Sequence, residues 1–174
     1  MKRLVMLLLV AVTLAGCSTA YNAVTKTGRV LWNPSVQVGA DTEQASTVDL
    51  SMVAESDMNA DGNGLGAPMS FQVLQLKDDS KLMAADYAEV SDDLENALGT
   101  NYIDHDDFAL LPRQFKFYES FDVDPETRFI GVIAYYNDPD HAEWKKVVRI
   151  RPKGHRYHIL VHLRNHTVEL RREY

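Results

Sequence analysis

One cysteine stands in a chain of 174 residues, Cys17, and that scarcity removes whole classes of protein. A disulfide framework needs pairs, and a thiolate zinc site needs several ligands. Basic residues are also short, 18 against 25 acidic, for a net charge of −7. Binding to phosphate backbones needs clustered Lys and Arg, so nucleic acid is not an expected partner. No apolar run reaches the ~20 residues of a membrane-spanning helix. No Gly-x-Ser-x-Gly elbow is present, and the glycines at Gly62–Gly66 lack the Lys and Ser or Thr of a phosphate-binding loop. Paired carboxylates such as Asp78-Asp79, Asp92-Asp93 and Asp106-Asp107 fall in polar stretches where nothing drives their pKa values apart. The sequence therefore reads as a non-enzyme with no metal site and no cofactor.

What is present starts at the amino terminus. Lys2 and Arg3 precede an unbroken apolar run from Leu4 to Val12, followed by Leu14-Ala15-Gly16-Cys17. A basic start, a short apolar core and small residues before a cut make a secretory signal. The last four residues resemble the bacterial lipoprotein cleavage box, in which the cysteine is acylated and residues 1–16 are removed. The mature chain would then start at a lipidated Cys17 and lose Lys2 and Arg3, leaving 16 basic against 25 acidic residues. Each buried methylene contributes ~0.8 kcal/mol and one acyl chain anchors only marginally, so several chains together hold stably. So acidic a balance makes electrostatic docking onto anionic lipid an unexpected addition. Ser18, where Asp would by resemblance favour the inner membrane, points to the outer membrane and the periplasm.

Residues 17–46 read as a lipidated tether, small and polar except for Val30, Leu31, Trp32, Val36 and Val38. That apolar part packs on the domain or on a partner. Thr47 to Ala54 alternates, with Val48, Leu50, Met52 and Ala54 on one face, as in a half-buried strand. Glu55 to Ala67 holds Asn59, Asp61, Gly62, Asn63, Gly64, Leu65 and Gly66 and is closed by Pro68. It forbids regular structure and exceeds what a hairpin needs. Asp57, Asn59, Asp61 and Gly62 match the first half of a calcium loop, but Pro68 stands where its bidentate Glu belongs. Phe71, Val73, Leu74 and Leu76 form a second strand.

A helical insertion over about 81–112 follows. Leu82, Val90, Leu94, Ala97 and Leu98 recur at helical spacing, Ser91 reads as an N-cap dividing two short helices, and Gly99 as the stop. Asn101 to Pro112 reads as acidic and irregular. Beyond Gln114 the chain is β-rich. Phe115, Phe117 and Phe121 alternate with Lys116, Tyr118 and Asp122, and Phe129 to Tyr136 is apolar on both faces, as a central strand is. Lys145 to Arg151 makes another strand. Tyr157, Ile159, Val161 and Leu163 point inward, then Val168 and Leu170. His158, His162 and His166 are four apart, but strand alternation puts His158 and His162 outward as solvated residues. About seven strands with a helical insertion make a mainly β, two-sheet sandwich over 47–174.

The lipoprotein box, the strand Val48 to Ala54, the Asn/Gly loop closed by Ala67-Pro68, the segment Phe71-Gln72-Val73-Leu74-Gln75-Leu76-Lys77, the helical Ala84-Ala85-Asp86-Tyr87, Leu98-Gly99 and Phe108-Ala109-Leu110-Leu111-Pro112 occur in this order. The succession resembles the type VI secretion lipoproteins called TssJ, SciN or VasD. The resemblance implies a transthyretin-like β-sandwich anchored in the outer membrane by acyl chains. It implies binding to the periplasmic C-terminal domain of TssM and, through it, association with TssL. It places partner contact on the loop between the first two strands, here Asn59, Asp61, Gly62, Asn63, Gly64, Leu65, Gly66 and Pro68. Backbone amides freed by the glycines, with Leu65 as apolar anchor, would supply that contact. The competing reading is a generic envelope lipoprotein whose sandwich binds a small ligand or envelope polymer.

Overall fold

The computed structural model describes residues 43–173; Cys17, the signal peptide 1–16 and the apolar stretch 30–38 lie outside them. Among the described residues eight strands form: β1 (Thr47–Ala54), β2 (Met69–Leu76), β3 (Tyr102–Leu110), β4 (Phe115–Asp122), β5 (Phe129–Ala134), β6 (Lys145–Arg149), β7 (Arg156–Leu163) and β8 (Val168–Glu173). They make two four-stranded sheets, ordered β4-β1-β7-β8 and β3-β2-β5-β6. All pairings are antiparallel except β1 with β7. The two-sheet sandwich expected from the alternation is present.

The inward residues of β1 and β7 are those the period-two pattern assigns: Val48, Leu50, Met52, Tyr157, Ile159, Val161 and Leu163 are all buried. They face Phe71 and Val73 of β2 and Ile130 and Val132 of β5 across one core. A second core lies on the outer face of the β2–β5 sheet. There Leu74, Leu76 and Ile133 meet Leu82, Val90, Leu94 and Leu98 from the helical segment. This double cover explains why β5 is apolar on both faces. Lys145 fastens the helical segment to its sheet. Its ammonium donates to the carbonyls of Leu82, Met83 and Ala85 at 2.9, 3.0 and 2.6 Å, satisfying helix-end acceptors that would otherwise be orphaned.

The helical segment differs from its sequence reading. It holds three short helices, α1 (Ser80–Ala84), α2 (Tyr87–Asp92) and α3 (Leu94–Leu98), and a 3-10 turn at Gly99–Asn101. Ser91 lies inside α2. The break falls at Asp93, whose carboxylate accepts from the Asn96 amide at 3.0 Å, because a charged acceptor caps more strongly than a hydroxyl. Gly99, at φ 49°, ends α3 as expected. The insertion closes there. Tyr102–Leu110, read as irregular, is strand β3, paired along β2 from Met69↔Leu110 to Leu76↔Tyr102. It is an edge strand with mostly wet side chains, so its alternation is faint. His105 sits within it, its Nδ1 2.7 Å from the Tyr102 hydroxyl.

Strand β4 carries a second difference. Its pairing with β1 shifts between Val48 and Leu50, so Leu50 faces Tyr118 while Val48 faces Phe121. This irregularity turns both Tyr118 and Phe121 toward the core and leaves Phe115 and Phe117 outside.

Candidate functional site

The loop between β1 and β2 divides into a clamped base and an exposed tip. At its start, the Glu55 amide donates to the Leu163 carbonyl at 2.9 Å. The Glu55 carboxylate lies 2.7 Å from Nε2 of His162. Met58 is fully buried, and its carbonyl accepts from the Ala67 amide at 3.0 Å. Asn59 is the hub. It sits at φ 50°, a left-handed conformation that Asn tolerates better than most residues. Its Oδ1 accepts from the Asn137 amide at 2.8 Å and its Nδ2 donates to the Pro68 carbonyl at 3.2 Å. The Asn137 side chain returns a bond to the Asn59 carbonyl at 3.3 Å. Ala60 is tied to Asn165 in the same way, its amide donating to Oδ1 at 3.3 Å.

Asp61 organises the tip. Its carboxylate accepts from the amides of Asn63 at 2.8 Å and Leu65 at 3.0 Å, and its carbonyl accepts from Gly64 at 2.9 Å. Those donors, Leu65 first, hold its carboxyl below the usual carboxylate range. Asp61, Gly62, Asn63, Gly64 and Leu65 are all exposed, and Leu65 keeps 68% of its surface.

The eight residues read from the sequence as partner-binding therefore do different things. Asn59, only 3% exposed, fastens the loop from within and presents no surface. Asp61 to Leu65 form the tip, and Pro68 is exposed. Gly66 is a packing position. A Cβ there would stand 2.3 Å from the Ser56 carbonyl oxygen and 3.2 Å from Pro112 Cγ. The amides of Asn63, Gly64 and Leu65 are already used inside the turn and are not freed as expected; what the tip exposes there is the Leu65 side chain. The calcium resemblance weakens for the same reason: Oδ1 of Asn59 and Oδ1 of Asp61 accept from backbone amides. Among the described residues no three His, Cys, Asp or Glu side chains gather closely enough to hold a metal ion.

Asn59→Ala is expected to lower the free energy of unfolding by about 2 kcal/mol, because it strands the Asn137 amide and the Pro68 carbonyl and loses the residue suited to φ 50°. Urea unfolding measures the loss, and hydrogen exchange over 61–66 should speed up with it. A change below about 0.5 kcal/mol, the usual range for surface positions, would mean the clamp is idle.

Beside the tip lies an apolar surface that the sequence reading did not single out. The turn at Leu111–Arg113 is joined to the loop by the Arg113 amide, which donates to the Glu55 carbonyl at 3.3 Å, and by the Gly66–Pro112 approach. Leu111 is 59% exposed, and Phe115 and Phe117 stand edge to face, 4.6 Å between centroids, on the outer face of edge strand β4. Exposed large side chains grouped on one edge strand and the turn before it make this a candidate contact surface. In the sequence Phe115 and Phe117 alternate with Lys116 and Tyr118, and alternation alone does not say which face is wet.

No curated protein matches the chain. Among solved structures, the T6SS lipoprotein TssJ1 from Pseudomonas aeruginosa is similar at 25% identity and TM-score 0.70, covering 75% of this chain and 98% of that one. Lip from Serratia marcescens, described as a membrane-bound component of the type VI secretion system, shares 25% identity at TM-score 0.62, over 74% and 97% of the two chains. A chain in a structure described as the TssM C-terminal domain from EAEC shares the fold alone, at 21% identity and TM-score 0.57, over 72% and 97%. The profile of the family described as type VI secretion lipoprotein (VasD, EvfM, TssJ) matches residues 46–166, from just before β1 to the turn before β8. This chain belongs to that family.

Proposed function

We propose that the chain is an outer-membrane lipoprotein of the type VI secretion membrane complex. Acyl chains on Cys17 hold it in the membrane, it faces the periplasm, and it binds the periplasmic C-terminal domain of TssM, with TssL reached indirectly. It performs no catalysis and needs no cofactor beyond the covalent lipid. The observation that carries this reading is the hydrogen-bonded Asp61–Leu65 tip with Leu65 exposed, on a loop joined at Glu55 and Gly66 to the turn before β4, where Leu111, Phe115 and Phe117 are also exposed. Membership of the secretion lipoprotein family supports it. So does the recurrence of this fold in a structure described by TssM. The competing reading, a sandwich that takes a small ligand, calls for an enclosed cavity. The space between the sheets is instead filled by Leu50, Met52, Phe71, Ile130, Ile159 and their neighbours.

Leu65→Asp combined with Phe117→Asp is expected to weaken capture of the TssM periplasmic domain at least about thirtyfold, since a buried anchor at an interface contributes ~2 kcal/mol or more. Both side chains are exposed in the free protein, so thermal unfolding should stay where it is. Binding at full strength by the double variant would move the interface off this end of the sandwich.

A further inference from the structure

The chain is acidic overall, yet its cations are not evenly spread. Arg128, Arg149, Arg151, Lys153, Arg156 and Arg172 line one open concavity of about 1360 Å³, with Glu173 as the carboxylate in its wall. Arg149 closes β6, Arg151 and Lys153 sit in the turn that follows, and Arg156 opens β7. Some of these groups are engaged. Arg156 pairs with Asp49 at 2.9 Å, and His158 lies 3.2 Å from the same carboxylate. Arg128 donates to the carbonyls of Pro125 and Thr127, both at 2.9 Å. Arg172 donates to the Arg149 carbonyl at 3.2 Å and covers the Tyr157 ring. Arg149, Arg151 and Lys153 are exposed and have no carboxylate partner among the described residues. Asp122 and Asp124 at the same end line a separate concavity.

The position of this cluster gives it meaning. The chain arriving from Cys17 enters the domain on the same turn. The Gln44 carbonyl accepts from the Gly154 amide at 2.9 Å, Ala45 bridges Lys153, and the Ser46 amide donates to the Pro152 carbonyl at 2.7 Å. The loop with the Asp61–Leu65 tip lies at the other end of β1, eight residues or about 26 Å away. Acyl chains anchor a protein but do not orient a domain hung on a tether. A surface of fixed cations beside the tether does, because attraction to anionic lipid acts only within a Debye length of about 8 Å.

We propose that this basic end seats on the phosphate headgroups of anionic phospholipids in the leaflet that holds the acyl chains, so that the Asp61–Leu65 tip points away from the membrane. The inference rests on the lipid-anchor reading above. It also revises the expectation from net charge: six cations against Glu173 line this concavity, while Asp104, Asp122 and Asp124 line a separate one.

The test uses the full acylated protein reconstituted in vesicles of phosphatidylcholine alone or with added phosphatidylglycerol. Amine labelling of Lys153 is compared with that of Lys146, which lies toward the other end of β6. Each cation near an anionic surface contributes about fivefold, so Lys153 should label roughly tenfold or more slowly on the anionic vesicles only, with high salt restoring the rate. Arg149→Glu with Arg151→Glu should lose this protection while the protein still floats with the vesicles. Equal labelling on both vesicle types by protein that floats overturns the inference and leaves the anchor standing. Protection on neutral vesicles brought about by inorganic phosphate would make this a free-anion site and also overturn it. Protein that floats with neither vesicle sinks the anchor, and the docking with it.

Discussion

Replacing Cys17 by serine is expected to move the protein from the membrane fraction to the soluble periplasmic fraction and to abolish effector secretion. Cys17 is the single cysteine, so no other thiol can take the lipid. Each acyl chain contributes through its methylenes at ~0.8 kcal/mol apiece, and losing all of them removes a binding term far larger than any surface contact could replace. The basic end alone would leave only a weak, salt-sensitive residue of membrane association. Fractionation with labelled palmitate reads the result directly. A serine variant that stays in the membrane at the wild-type level, or a wild-type protein that takes up no palmitate, would refute the anchor. Secretion that continues while the domain is shown to be free would refute its role in the complex.

Phe71→Ala is expected to cost about 3–5 kcal/mol of stability, the usual range for removing a buried phenylalanine. Phe71 is 1% exposed, stacks on Phe108 with centroids 5.4 Å apart, and lies on β2 between β3 and β5. Its removal opens a cavity where the two sheets meet, and fixed neighbouring strands cannot collapse into it. Against a total of about 5–15 kcal/mol, this loss approaches unfolding. The melting temperature should fall by roughly 10 °C or more. Phe117, which keeps 71% of its surface, is the control: Phe117→Asp should shift stability by no more than about 0.5 kcal/mol. Similar melting temperatures for the two variants would show that the inter-sheet core is not what holds the domain.

The contrast between those two phenylalanines shows what could be read in advance. Strands β1 and β7 were legible because one face of each is buried along its whole length, so a period-two pattern is written into neighbouring residues. β5 was legible because helices cover its second face and make it apolar throughout. β3 was not, since an edge strand facing water over most of its length needs few apolar side chains, and its register is held by β2. β4 was legible as a strand but not by face, because an irregular pairing with β1 inverts the alternation partway along. Asp93 took the helix break from Ser91 within a run where every residue was a plausible cap.

The sequence by itself determined the β-sandwich class and the overlong loop after β1, which follow from spacings among near neighbours, and it carried the motifs whose order resembles the family. Tertiary structure alone decided that Asn59 grips Asn137, that the Leu111–Arg113 turn meets the loop at Glu55 and Gly66, and that six cations scattered from Arg128 to Arg172 line one concavity. Contacts between residues far apart in the chain depend on strand register and sheet order, and no local periodicity encodes either.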